Sequence, residues 1–121
     1  MADHSRPGEF DLIKKYLRPL ATGESGAASL SDDAAVLQTK DGHRLVVTMD
    51  TLISGVHFFE FTPPRLIAAK SLRVNLSDLA SMGADPAYYT LSLSLPINGE
   101  MKCDSDWLES FSEALAIEQD L

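Results

Sequence analysis

Cysteine is nearly absent: Cys103 is the single one among 121 residues. An internal disulfide is thereby excluded, and with it the stapled scaffold of small secreted proteins. Long apolar runs are missing too. None approaches the ~20 residues that span a bilayer, and the first ten residues hold no apolar signal region, so a cytoplasmic chain without membrane contact is expected. Bases are scarce, with ten Lys and Arg against 18 Asp and Glu and a formal net charge of −8. That field repels a polyanion and excludes nucleic-acid binding by phosphate neutralisation. Neither Gly-x-x-x-x-Gly-Lys-Ser/Thr nor Gly-x-Gly-x-x-Gly occurs, so no glycine cradle holds a phosphate. Histidines are few and scattered (His4, His43, His57), which leaves no zinc spacing. Cys103 lies in an acidic loop that raises its pKa and makes it a poor nucleophile.

What is present reads as one domain. Hydrophobic residues make up 45% of the chain and charged residues 23%, a globular balance. Residues 1–8 are polar and are expected to form a flexible tail, with the domain spanning 9–121. Phe10, Ile13, Leu17 and Leu20 form the stripe of a short helix that Pro19 stops. A Gly- and Ser-rich loop over 21–31 then leads into Asp32 and Asp33, at the mouth of a strand over Ala34–Leu37. The turn Lys40-Asp41-Gly42-His43 joins this strand to Leu45–Asp50, where Thr48 and Asp50 share a face.

The strongest helix signal covers Pro64–Met82, with Thr62 as N-cap, Gly83 as its stop, and a stripe of Leu66, Ala69, Leu72, Leu76, Leu79 and Met82. Asn75 and Asp78 lie one turn apart on another stripe. Ala87–Leu95 alternates as a strand, and a last helix begins near Ser105 with Leu108, Phe111 and Leu115 inward. The expected fold class is therefore α/β (α+β layers), a mixed sheet covered by helices on one face. Its C-terminal part is acidic: residues 98–121 hold seven acids and one base, the pattern of a solvated helix face.

Asp32, Asp33, Asp50 and Asp78, with Asn75 beside the last, are oxygen donors of the kind that favours Mg²⁺, a cation usually completed by phosphate oxygens and water. From spacing alone, capping and solvation account for these carboxylates equally well. His57, in Gly55-Val56-His57-Phe58-Phe59, reads on its own as a satisfied core or rim histidine sooner than as a substrate contact.

The wording of several blocks adds a resemblance. Gly8–Ile13, Asp32-Asp33-Ala34-Ala35-Val36-Leu37, Asp50-Thr51-Leu52-Ile53-Ser54-Gly55-Val56-His57-Phe58, Lys70-Ser71-Leu72-Arg73-Val74-Asn75-Leu76-Ser77-Asp78-Leu79-Ala80-Ser81-Met82-Gly83-Ala84 and Trp107–Phe111 resemble the thiamine-monophosphate kinase family in order and spacing. Selenophosphate synthetase and aminoimidazole-ribonucleotide synthetase are similar, with different versions of these blocks. The resemblance implies the N-terminal domain of the aminoimidazole-ribonucleotide-synthetase-like fold, forming a barrel across a homodimer. It implies ATP-dependent phosphorylation of thiamine monophosphate to thiamine diphosphate.

Carried over by position, Asp33, Thr48, Asp50 and Asp78 look like Mg²⁺ ligands, Asp33, Asp50, Asn75 and Asp78 serve the ATP site, and His57 contacts thiamine phosphate. Two positions depart from the family: Ser31 stands where it has Gly, and Met49 where it has Thr or Ser, which leaves only a carbonyl as ligand. The family also continues into a Gly-Gly-Asp-Thr block and a C-terminal α/β domain, which these residues do not contain. The chain is expected to be the kinase's N-terminal part and inactive alone. Rival readings are a non-catalytic dimerisation module and a related phosphotransferase such as selenophosphate synthetase.

Overall fold

The computed structural model describes residues 5–121. His4 and half of the expected tail lie outside the described residues. Within the rest of that tail, Arg6 Nη1 donates to the Pro96 carbonyl at 2.9 Å, and Ser105 Oγ donates to the Ser5 carbonyl at 2.9 Å.

The architecture is helical. Helix α1, Glu9–Leu12, runs into a wider turn over Ile13–Leu17 and a tighter one over Arg18–Ala21. Pro19 therefore does not stop the helical path. It enters the first turn of the tight segment, where its missing N–H costs nothing. The inward residues also differ from the expected stripe: Leu12 and Tyr16 are buried, Leu17 and Leu20 only partly, and Phe10 is 85% exposed. A second tight segment, Ser25–Leu30, contains Ala28, Ser29 and Leu30 at positive φ.

Helix α2, Pro64–Ser81, ends where Gly83 predicts. Gly83 takes φ +64, its N–H donates to the Ala80 carbonyl at 3.0 Å, and Ala84 N–H donates to the Leu79 carbonyl at 3.0 Å. These paired bonds satisfy the last carbonyls, and glycine adopts that φ without a Cβ penalty. At the other end Pro63, not Thr62, holds the cap position, and no side chain bonds there. Helix α3, Ser105–Gln119, starts with Asp104 as N-cap, its carboxylate accepting from the Trp107 N–H at 3.0 Å.

Helices α2 and α3 pack against one another. Ile67 and Ala68 of α2 meet Phe111 and Leu115 of α3 in the main core, with Leu20, Phe58, Leu72, Leu93, Met101 and Trp107 around it. Leu12, Tyr16 and Leu108 form a second cluster under α1. Trp107 touches both and stacks on Phe111, the ring centroids 4.9 Å apart and the planes 13° from parallel.

The expected mixed sheet is not present: among the described residues the α/β class gives way to packed helices. Ala34–Leu37, Leu45–Asp50 and Ala87–Leu95 carry no strand, and the sole β-contact is an isolated parallel bridge between Ser54 and Phe58. The reason is pairing. Alternation signals a half-buried strand, but strands are stable only when neighbours satisfy their backbone groups and cover their dry face. Val36 N–H instead donates to the Gly26 carbonyl at 2.9 Å, and among the described residues no backbone hydrogen bond joins the three segments. Their apolar residues meet no opposing layer, so Leu45, Val47 and Leu91 stay exposed while Leu93 and Leu95 lie half-buried against the helices. The same lack exposes the expected α2 stripe at Leu66, Leu76 and Met82, because α3 covers the Ile67–Ala68 side.

Candidate functional site

The candidate ligands come from three segments: Asp33 before 34–37, Thr48 and Asp50 in the coil over 43–53, and Asn75 and Asp78 on α2. Asp78 sits in the last turns of α2 and is exposed. Thr48, partly buried in the coil over 43–53, reaches it: Thr48 Oγ1 donates to Asp78 Oδ2 at 3.3 Å. Among the described residues this is the one hydrogen bond that joins two of the sequence-marked oxygen donors. Asp33 and Asp50 are exposed and belong to no group of three or more His, Cys, Asp or Glu side chains that could hold a metal among the described residues. Asn75, half-buried, turns its amide back along the helix, with Nδ2 donating to the Ser71 carbonyl at 2.9 Å. Its Oδ1 keeps its acceptor capacity.

His57 lies in a compact turn. Gly55, at φ +78, donates its N–H to the Phe58 carbonyl at 2.7 Å, while the Val56 and His57 N–H groups donate to the Ile53 carbonyl at 3.1 and 2.9 Å. The ring folds back so that Ile53 N–H donates to His57 Nδ1 at 2.9 Å. Lys70 of α2 donates from Nζ to the His57 carbonyl. Sequence reasoning included Lys70 in the block 70–84 but gave it no role, since no spacing rule links residue 57 to a helix beginning at 64. The available signal was a lysine in the first turns of the helix that carries Asn75 and Asp78.

Cys103 is buried, and burial above all pushes its thiol pKa up, with Arg6 opposing and Asp104 adding to the rise. The expected direction holds, but its main cause is desolvation, not the acidic loop. Tyr89, its hydroxyl donating to Gln119 Oε1 at 2.8 Å, is likewise raised by burial. No helix among the described residues is long and apolar enough to cross a membrane.

Comparison with known proteins gives this geometry its setting. The thiamine-monophosphate kinase of Escherichia coli is 43% identical over 109 residues, covering 89% of this chain and 32% of its own length. Those of Salmonella typhimurium and Caulobacter vibrioides are each 42% identical, over 109 and 110 residues, covering 89% and 91% of this chain and 32% and 30% of their own. The chain thus spans about a third of the length of the relatives it matches. No solved structure matches it. The family model described as "AIR synthase related protein, N-terminal domain" matches residues 31–118, most of the chain and every candidate ligand, and the chain belongs to that family.

Proposed function

We propose that these residues form the nucleotide and metal half of a thiamine-monophosphate kinase, transferring the γ-phosphoryl group of ATP to thiamine monophosphate. The observation that carries this reading is the identity of 42–43% to curated kinases of that name across 109 residues that include all the marked positions. The donor chemistry supports it. Asp33, Thr48, Asp50 and Asp78 offer only oxygen, which suits Mg²⁺ and not zinc or copper. Mg²⁺ keeps several waters and needs only one or two protein carboxylates, so the Thr48–Asp78 pair is a sufficient starting platform. When bound, the cation would neutralise charge on the transferring phosphoryl group.

The chain's own residues divide the remaining work. Asp78 orients the Thr48 hydroxyl through Oδ2 and has a second carboxylate oxygen to offer a cation. Asn75 Oδ1 is an acceptor one turn away, and His57 contributes a polar ring for the acceptor phosphate. No general base is needed, because the acceptor is already a phosphate. We also propose a homodimer, supported by the exposed apolar side chains of 45–50 and 87–95, which a second copy would cover.

Titrating Mg²⁺–ATP into the chain by calorimetry tests the site. Asp78→Asn removes one charge and is expected to weaken binding at least tenfold, about 1.4 kcal/mol, while Thr48→Val weakens it less. Both variants should fold normally, since Asp78 lies outside the apolar clusters and Thr48 is only partly buried. Equal affinity for wild type and Asp78→Asn would remove the metal assignment.

A further inference from the structure

The turn carrying His57 is held from two sides. Ile53 N–H can only donate, so His57 Nδ1 is an acceptor and the neutral ring carries its proton on Nε2. From the helix side, the Lys70 ammonium donates to the His57 carbonyl. The far end of the turn is fixed as well, because Phe58 packs against the core of Ile67, Ala68, Phe111 and Leu115. The exposed ring is left with one function toward solvent, an N–H donor, and a lysine cation is tied to the same residue. A donor-only ring beside a positive charge suits an oxyanion and offers nothing to a cation.

We propose that Lys70 is a positioning residue for His57: it clamps the 53–58 turn so that the ring presents Nε2–H to the oxygen of a phosphate group. The clamp stands on the hydrogen bonds alone. The identity of the ligand as a phosphate ester rests on the kinase reading above.

Nuclear magnetic resonance on the 121-residue chain, in Mg²⁺-free buffer, reads the two parts separately. Amide exchange at Ile53 and His57 reports the clamp, and the His57 Nε2 resonance reports binding of two probes, inorganic phosphate and thiamine monophosphate. Lys70→Met is expected to raise exchange at both amides about tenfold or more and to weaken whichever probe binds about fivefold. Lys70→Arg keeps a cationic donor and is expected to restore both readouts. Binding of the ester alone identifies an ester site, and equal binding of both probes identifies a general phosphate site. Unchanged exchange and an unchanged Nε2 signal in Lys70→Met overturn the proposal. If neither probe moves Nε2 in the wild type while Lys70→Met still loosens the turn, the phosphate reading falls and the clamp stands. Circular dichroism monitors folding, and Lys70→Gln serves in place of Lys70→Met should the latter unfold.

Discussion

Replacing Leu115 by alanine removes the side chain that α3 drives deepest into the contact with α2. Leu115 has 0% of its surface exposed and shares its core with Ile67, Ala68 and Phe111. Leucine-to-alanine changes at such sites cost about 2–5 kcal/mol, the lost transfer energy plus the cavity left behind. A loss of about 3 kcal/mol lowers the folding constant more than a hundredfold and, with a urea dependence of roughly 1–3 kcal/mol per molar, moves the midpoint down by about 1–3 M. Two residues along the same helix, Ile117 is 65% exposed, so Ile117→Ala is an internal control expected to cost ~0.5 kcal/mol or less. Urea titration followed by the fluorescence of Trp107 suits the comparison, because that sole tryptophan stacks on Phe111 beside the altered site. Equal midpoints for the two variants would refute the packing of α3 on α2 through this face.

Two further outcomes follow from the electrostatics. Arg73 Nε and Nη2 donate to Glu118 Oε2 and Oε1 at 2.7 and 2.8 Å, and this hydrogen bonding is the largest influence holding the Glu118 carboxyl below its usual value. A lowered carboxyl pKa stabilises the fold above the unfolded value of about 4.3 and loses that contribution as pH falls through the folded value. Glu118→Gln should therefore flatten the acid limb of a stability-against-pH curve, and an unaltered limb would show the pair to be idle. The Cys103 thiol, raised by burial, should react slowly with a disulfide reagent at neutral pH and rapidly in urea. A rapid reaction in the folded chain would contradict its enclosure.

The helices were legible wherever the signal is local. Leu108, Phe111 and Leu115 recur at helical spacing and are buried as that spacing predicts, and Gly83 ends α2 by its own conformational freedom. What failed depends on partners distant in sequence. Helix α2 carries apolar residues on two sides, and the sequence cannot say that α3 will cover Ile67 and Ala68 while Leu66 and Leu76 remain open. The alternation in Leu45–Asp50 and Ala87–Leu95 is equally real as a pattern, yet it contains no information about which backbone will pair with it.

The candidate site divides along the same line. Asp78 is set by α2, whose backbone follows a local helical pattern, and it is the carboxylate that finds a marked partner, Thr48. Asp33 and Asp50 stand at the ends of Ala34–Leu37 and Leu45–Asp50, the segments that make no ladder, and both side chains are exposed. A carboxylate at a strand end is aimed by the register of that strand. Without a register in those two segments, nothing aims Asp33 or Asp50 at Asp78. His57 escapes this dependence because its turn closes on itself through residues 53–58 and is fastened to α2 by Lys70. The parts anchored to α2 (Asp78, Asn75, Lys70 and, through it, His57) thus form the fixed half of the site. Asp33 and Asp50 are the half carried by coil that makes no ladder.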